Sequence, residues 1–173
     1  MSEEGKIEDA AYEQGQEIPE VLLKVLLYCI EDAKKRLGPG EDLVPFTALA
    51  VKETLFSEDQ EASSPEECYE KAMRTVSNAR GATAYGFCYD GYINTDAGYV
   101  DALIAEGGLP GDEHGYAIGL IYSFDTHKNR EYSDTANFVG IVDNFMADLK
   151  DEPEETVAED AAETSEEAPV EAE

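Results

Sequence analysis

Carboxylates and imidazoles gather around one stretch of the chain: Asp101, Glu106, Asp112, Glu113 and His114, with Asp125 and His127 on the following loop. Side chains of these types can hold a divalent metal or pass a proton as acid and base. Their spacing argues against both roles. The two histidines flank a run with strand character, and ~3.4 Å per residue over about ten residues puts roughly 30 Å between them. They cannot share a metal unless that strand bends. The acids are therefore expected to be ordinary turn residues, and a small metal- or carboxylate-dependent enzyme with its site near Glu106–His114 is the alternative expectation.

Other reactive types are no better placed. Asn94-x-Asp96-x-Gly98 resembles the start of a calcium loop, but glycine falls at the fifth position and Ala105 stands where the loop needs a bidentate glutamate. Cys88 lies between Phe87 and Tyr89 with no neighbouring base, the setting of an inert thiol. Cys29, Cys68 and Cys88 are odd in number, widely separated and without a C-x-x-C pair, so they read as reduced core residues. G-x-G-x-x-G, P-loop, H-E-x-x-H and G-x-S-x-G patterns are absent from the sequence. The expectation is no metal, no cofactor and no catalytic residue.

The elements that carry these residues follow from periodicity. Ile18, Val21, Leu22, Val25, Leu26, Cys29, Ala33 and Leu37 have helical spacing, Pro19 suits a first turn, and Gly38-Pro39-Gly40 stops the helix. Lys34, Lys35 and Arg36 in its last turn complement the helix dipole. Leu43–Val51 is β-prone, with Pro45 restricting it to a strand start or an edge, and Lys52-Glu53 is a tight turn into a short second strand at Thr54–Phe56. Ser64-Pro65-Glu66-Glu67 is a helix start, with a capping hydroxyl, a first-turn proline and a capping-box glutamate. Strands are expected at Ala82–Ile93, Tyr99–Glu106 and Tyr116–Asp125, joined by short turns that imply antiparallel neighbours. Phe138, Ile141, Val142, Phe145, Met146 and Leu149 step by three and four residues, which predicts a last helix. The fold class expected is α+β, an antiparallel sheet of four or five strands with three helices in the order α-β-(β)-α-β-β-β-α.

Composition places these elements in an acidic protein. The 173 residues include 40 acids against 12 Lys and Arg, a net charge of −28. Eleven acids and no base lie in residues 151–173, which should form a solvated, disordered tail, and residues 1–17 should be a flexible acidic N-terminus. The intervening single domain, residues 18–150, keeps a net charge of −12. That charge repels phosphates and acidic headgroups, so neither nucleic acid nor membrane is an expected partner. An acidic nucleic-acid mimic ranks third among the functions, because most of the excess charge lies on the ends rather than at ordered spacing. The chain starts without a basic signal region, and its longest apolar run falls far short of the ~20 residues that span a bilayer. A cytoplasmic location is expected.

The helix ended by glycine, Leu43-x-Pro45-Phe46, the capped helix, Ala82-x-Ala84-x-x-x-Cys88-Tyr89-Asp90 and Asp101-Ala102-Leu103-Ile104 together resemble a set of uncharacterised bacterial proteins, over about residues 18–123. The resemblance implies the order of elements and a bacterial cytosolic setting, and carries no activity with it. The element order is also similar to that of roadblock and profilin-like domains, which are mostly interaction modules.

The feature that bears most on function is the sheet. Tyr85, Phe87 and Tyr89 alternate with Ala84, Gly86 and Cys88, while Tyr116, Ile118, Leu120 and Tyr122 alternate with Ala117, Gly119 and Ile121, so neither face of these strands is polar. A sheet with one wet face alternates apolar with polar. Both faces must therefore be covered, by helices or by a partner. The expected function is a non-enzymatic interaction or regulatory module. Tyr85, Phe87, Tyr89, Tyr116, Ile118, Leu120 and Tyr122 are its candidate interaction face, and the partner is another protein or a second copy in a homodimer.

Overall fold

The computed structural model describes residues 18–149, and the two acidic ends predicted to be loose lie outside the described residues. The α+β class holds: two helices and an antiparallel sheet of seven strands occur among the described residues. The elements are α1 (Glu20–Arg36), β1 (Phe46–Val51), β2 (Thr54–Asp59), α2 (Pro65–Ser77), β3 (Ala84–Thr95), β4 (Gly98–Gly108), β5 (His114–Phe124), β6 (Arg130–Tyr132) and β7 (Asn137–Asp143). The strands lie in the order β2-β1-β3-β4-β5-β6, with β7 pairing the first half of β5 and β6 its last three residues.

The amphipathic pattern of α1 decides what covers the first sheet face. Leu22, Leu26, Cys29 and Ala33 are wholly buried against Phe46, Ala48, Ala84, Cys88, Leu103, Ala105, Ile118 and Leu120. Each buried leucine contributes about 1.5–3 kcal/mol. Close approach depends on small residues: a Cβ on Gly86 would sit 2.7 Å from the Cys29 Sγ. The basic last turn does more than offset a dipole, since Arg36 bonds Asp32 at 3.1 Å and Asp59 at 2.9 Å and lies 3.9 Å over the Phe46 ring.

On the second face, α2 supplies Ala72 and Val76 against Tyr85 and Phe87. Its start follows the sequence signal, with the Ser64 hydroxyl accepting from the Glu67 amide and Pro65 in the first turn. Ser64→Ala should cost about 1 kcal/mol, readable as a lower urea midpoint with unchanged slope.

The predicted last helix is not there. Arg130–Tyr132 and Asn137–Asp143 form β6 and β7, and residues 144–149 hold a turn rather than a helix. The stepping apolar residues carry a helical period, but Val139, Ile141 and Val142 are β-branched around Gly140, which favours strand over helix. An unpaired β5 would also leave a row of backbone donors and acceptors beside the core, and β6 and β7 satisfy it. The sheet thereby has more strands than the four or five expected, and one helix fewer.

Candidate functional site

The candidate site is a groove of about 480 Å³ on the second sheet face. Three distant segments build it. Leu43 and Pro45 lead into β1, residues 62–65 lead into α2, and Phe87 and Tyr89 come from β3, with Cys68 and Tyr69 of α2 closing one wall. The first two segments are tied together by the Gln60 amide, which donates to the Pro45 carbonyl at 2.7 Å, and by the buried Gln60 side chain, which donates to Thr47 at 3.1 Å and Thr75 at 3.3 Å. Aromatic rings pave the floor: Tyr69 and Phe87 meet edge to face at 6.3 Å, and Phe87 and Tyr89 lie 5.1 Å apart.

Behind this wall sits Glu106, opposite Phe87 in the register and only 5% exposed. The Tyr89 hydroxyl donates to its Oε2 at 2.7 Å. Burial raises the Glu106 carboxyl above the ordinary glutamate range, the Tyr89 bond opposes that rise, and the Asp143 charge adds to it. Burial beside Glu106 likewise pushes the Tyr89 and Tyr69 phenols up. Because the folded state holds the Glu106 proton more tightly than the unfolded chain, stability falls as pH rises from about 4.5 through the folded value, and levels off above it. Glu106→Gln removes that penalty and keeps an acceptor for Tyr89. Its stability relative to the parent should rise with pH across this window in denaturation series at fixed pH, and a flat difference would contradict the assignment.

A second polar cluster lies on the α1 face. Asp90 accepts from the Tyr122 hydroxyl at 2.8 and 3.0 Å and from Arg130 Nη2 at 3.4 Å. The Arg130 side chain is 4% exposed, with its guanidinium 4.8 Å from the Tyr122 ring centre and 5.1 Å from that of Phe124. Burial raises the Asp90 carboxyl, while Tyr122 and Arg130 pull it back down.

The carboxylates and histidines singled out in the sequence do not converge. Glu106 opposes Ala117, whereas His114 opposes Asp143 further along β5 and is exposed, as are Asp101, Asp112 and Glu113. Asp125 shapes the β5–β6 turn, accepting from the His127 and Asn129 amides at 2.8 and 2.9 Å, so the two histidines stand at opposite ends of β5. Asn94, Asp96 and Gly98 lie at the β3–β4 turn. No group of three His, Cys, Asp or Glu able to hold a metal occurs among the described residues. Cys29, Cys68 and Cys88 are free and buried, and burial pushes the Cys29 thiol to about 12 and Cys88 well above its ordinary value.

The candidate interaction face divides in two. Tyr116 opposes Gly107, which opposes Gly86, so Tyr116, Ile118, Leu120 and Tyr122 lie on the α1 side, while Tyr85, Phe87 and Tyr89 lie on the groove side. Five of the seven are buried inside the protein, and Tyr89 and Tyr116 are partly exposed. Groove residues from outside that set (Leu43, Pro45, Cys68 and Tyr69) carried no sequence signal beyond apolar or helical patterning, because only the tertiary fold brings them to β3.

Among the described residues, fold and groove together define an antiparallel sheet with a helix on each face and an aromatic recess between β3 and α2. No family model, curated protein or solved structure matches the chain. No helix among the described residues is long and apolar enough to cross a membrane.

Proposed function

We propose that the protein is an interaction module that receives an apolar group of a protein partner in the groove between β3 and α2. One observation carries this reading: the groove is lined by Leu43, Pro45, Tyr69, Phe87 and Tyr89 and is already open at about 480 Å³. Preformed recesses of this size and apolar lining are the usual binding sites of folded domains. Support for binding rather than catalysis comes from the groups nearby. Glu106 is committed to Tyr89, and the strand thiol of Cys88 is buried in the core. Indole and 4-methylphenol, titrated in turn into labelled protein, should shift the amide resonances of Cys68, Tyr69, Phe87 and Tyr89. Shifts confined to other surfaces would remove the groove from consideration.

Self-association has its own support, on side chains other than the seven first singled out. Where a last helix was expected, the second sheet face carries Ile93, Ile104 and Val139 folded over Gly119, whose Cβ would lie 2.8 to 3.1 Å from all three. Val139 is 41% exposed. Light scattering on the full chain reads this directly: a monomer at high concentration that is unchanged by Val139→Asp ends the homodimer reading.

A further inference from the structure

We infer that the partner enters the groove as an extended basic segment, added as a strand to the open edge of β3. The inference rests on the groove being the docking site. It goes further in naming the backbone geometry and the charge of what docks there.

Strand pairing comes first. β1 pairs β3 only from Ala84 to Cys88, and the pairing ends at Phe46, before which Pro45 has no backbone N–H to donate. From Tyr89 to Thr95, β3 is paired with β4 on one side and with no strand among the described residues on the other. The groove opens onto the start of this free edge, since Tyr89 and Asp90 line it. The Asp90 carboxylate is held on the opposite face by Tyr122 and Arg130, so the part of Asp90 available to the groove is the strand itself. Such an edge offers alternate backbone donors and acceptors to an incoming chain, and the recess beside it takes one side chain. Two of the sheet's outer strands are guarded. β2 carries Glu58 and Asp59 beside its exposed Phe56, and β7 is bulged against Ala117 and Ile118. Charges and bulges of this kind are what keep an edge from pairing.

Charge complementarity then selects the occupant. Exposed acids neighbour the lining residues on both banks: Glu41 and Asp42 before Leu43, Glu61 before Ala62, and Glu66 and Glu67 after Pro65. The chain as a whole carries −28. In an added strand alternate side chains face opposite sides of the sheet. A segment that alternates Lys or Arg with apolar residues therefore seats the apolar set in the groove, and the acidic surround favours its cations over acids. A second copy of this acidic chain would meet like charge there, and an acidic peptide would too.

The test uses the full chain and three synthetic eight-residue peptides. The first alternates lysine with valine, the second replaces each lysine by glutamate, and the third keeps lysine but N-methylates alternate backbone nitrogens. Calorimetric titration should show saturable binding of the first, at least about tenfold weaker binding of the second, and a similar loss for the third. Exchange of the amides between Tyr89 and Thr95 should slow only with the first. Ala62→Trp, which fills the groove from an exposed position, should abolish the binding. The inference falls if N-methylation or Ala62→Trp leaves affinity unchanged, because the peptide would then be held by surface charge alone. It also falls if the first peptide shows no saturable binding up to roughly 1 mM. Should the small aromatic probes still shift the groove resonances in that case, the groove stands as a site and only the added basic strand is lost. If Ala62→Trp fails to fold, the N-methylated peptide and the exchange measurement decide the question.

Discussion

Gly107→Ala is expected to destabilise the protein by about 3 kcal/mol or more, the upper end of what overpacking does. Gly107 opposes Gly86 on β3 and Tyr116 on β5 at the centre of the sheet. A Cβ there would lie 2.0 Å from the Tyr85 carbonyl oxygen and 3.2 Å from Leu22 of α1. The oxygen belongs to the neighbouring backbone, so no side-chain rotation relieves the clash and β3 and β4 must separate. Parting them opens the main core and the floor of the groove together. Gly140→Ala is the matched control: nothing lies within 4 Å of its Cβ, and its effect should stay within about 0.5 kcal/mol. Urea unfolding of the two variants side by side checks both statements.

Asn144→Leu should cost about 3 to 4 kcal/mol, through hydrogen bonding rather than volume. Asn144 is 8% exposed and saturates its amide with the backbone. Its Nδ2 donates to the Leu109 carbonyl at 2.7 Å and to the Asp112 carbonyl at 2.9 Å, and its Oδ1 accepts from the Met146 amide at 2.9 Å. Leucine removes all three bonds: the buried Met146 amide and the part-buried Asp112 carbonyl lose their side-chain partner, while the Leu109 carbonyl keeps only the Asp112 amide at 3.2 Å. The loss also reaches the groove. The turn held by Asn144 places Phe145 stacked on Tyr85 at 5.3 Å, with the Phe145 amide donating to the Tyr85 hydroxyl at 2.9 Å, and Tyr69 rests on Phe145 at 5.1 Å. A weakened β4–β5 end in hydrogen exchange, centred on Leu109–Asp112, would accompany the lower stability.

Local signals carried most of the fold. Ser64-Pro65-Glu66-Glu67 marks the start of α2 because capping is settled within four residues, and the Lys52-Glu53 turn, with Lys52 at φ 58°, closes the β1–β2 hairpin as the sequence predicts. β3, β4 and β5 were visible because apolar residues alternate beyond any helical reading. Residues 133–149 carry a helical period, but their decisive features are nonlocal: the need of β5 for a partner, and an asparagine two of whose three bonds reach back to Leu109 and Asp112. Gly140 between β-branched neighbours was the local sign that pointed the other way. The same distinction governs the site. Glu106 is evident as a carboxylate, yet its partner proved to be Tyr89 across the strand pair, not the acids of the next turn. Leu43, Cys68 and Phe87 meet only when β1 stops short of the end of β3, and no window of sequence contains all three.

The strand order bears on how the chain reaches this state. β1 with β2, β3 with β4, β4 with β5, and β5 with β6 are all neighbours in sequence; among the described residues only β1–β3, across β2 and α2, and β5–β7, across β6, step over intervening elements. Most of the sheet can therefore close through short loops, whose entropic cost is small, and low contact order goes with rapid collapse to a native-like transition state. The nucleus this arrangement favours is the β3–β4–β5 meander joined by α1, with the hairpin of β1 and β2 docking afterwards across α2. The open edge of β3 is then a surface exposed from the earliest stage of folding, so a partner that adds a strand there could engage the chain before the groove has finished forming.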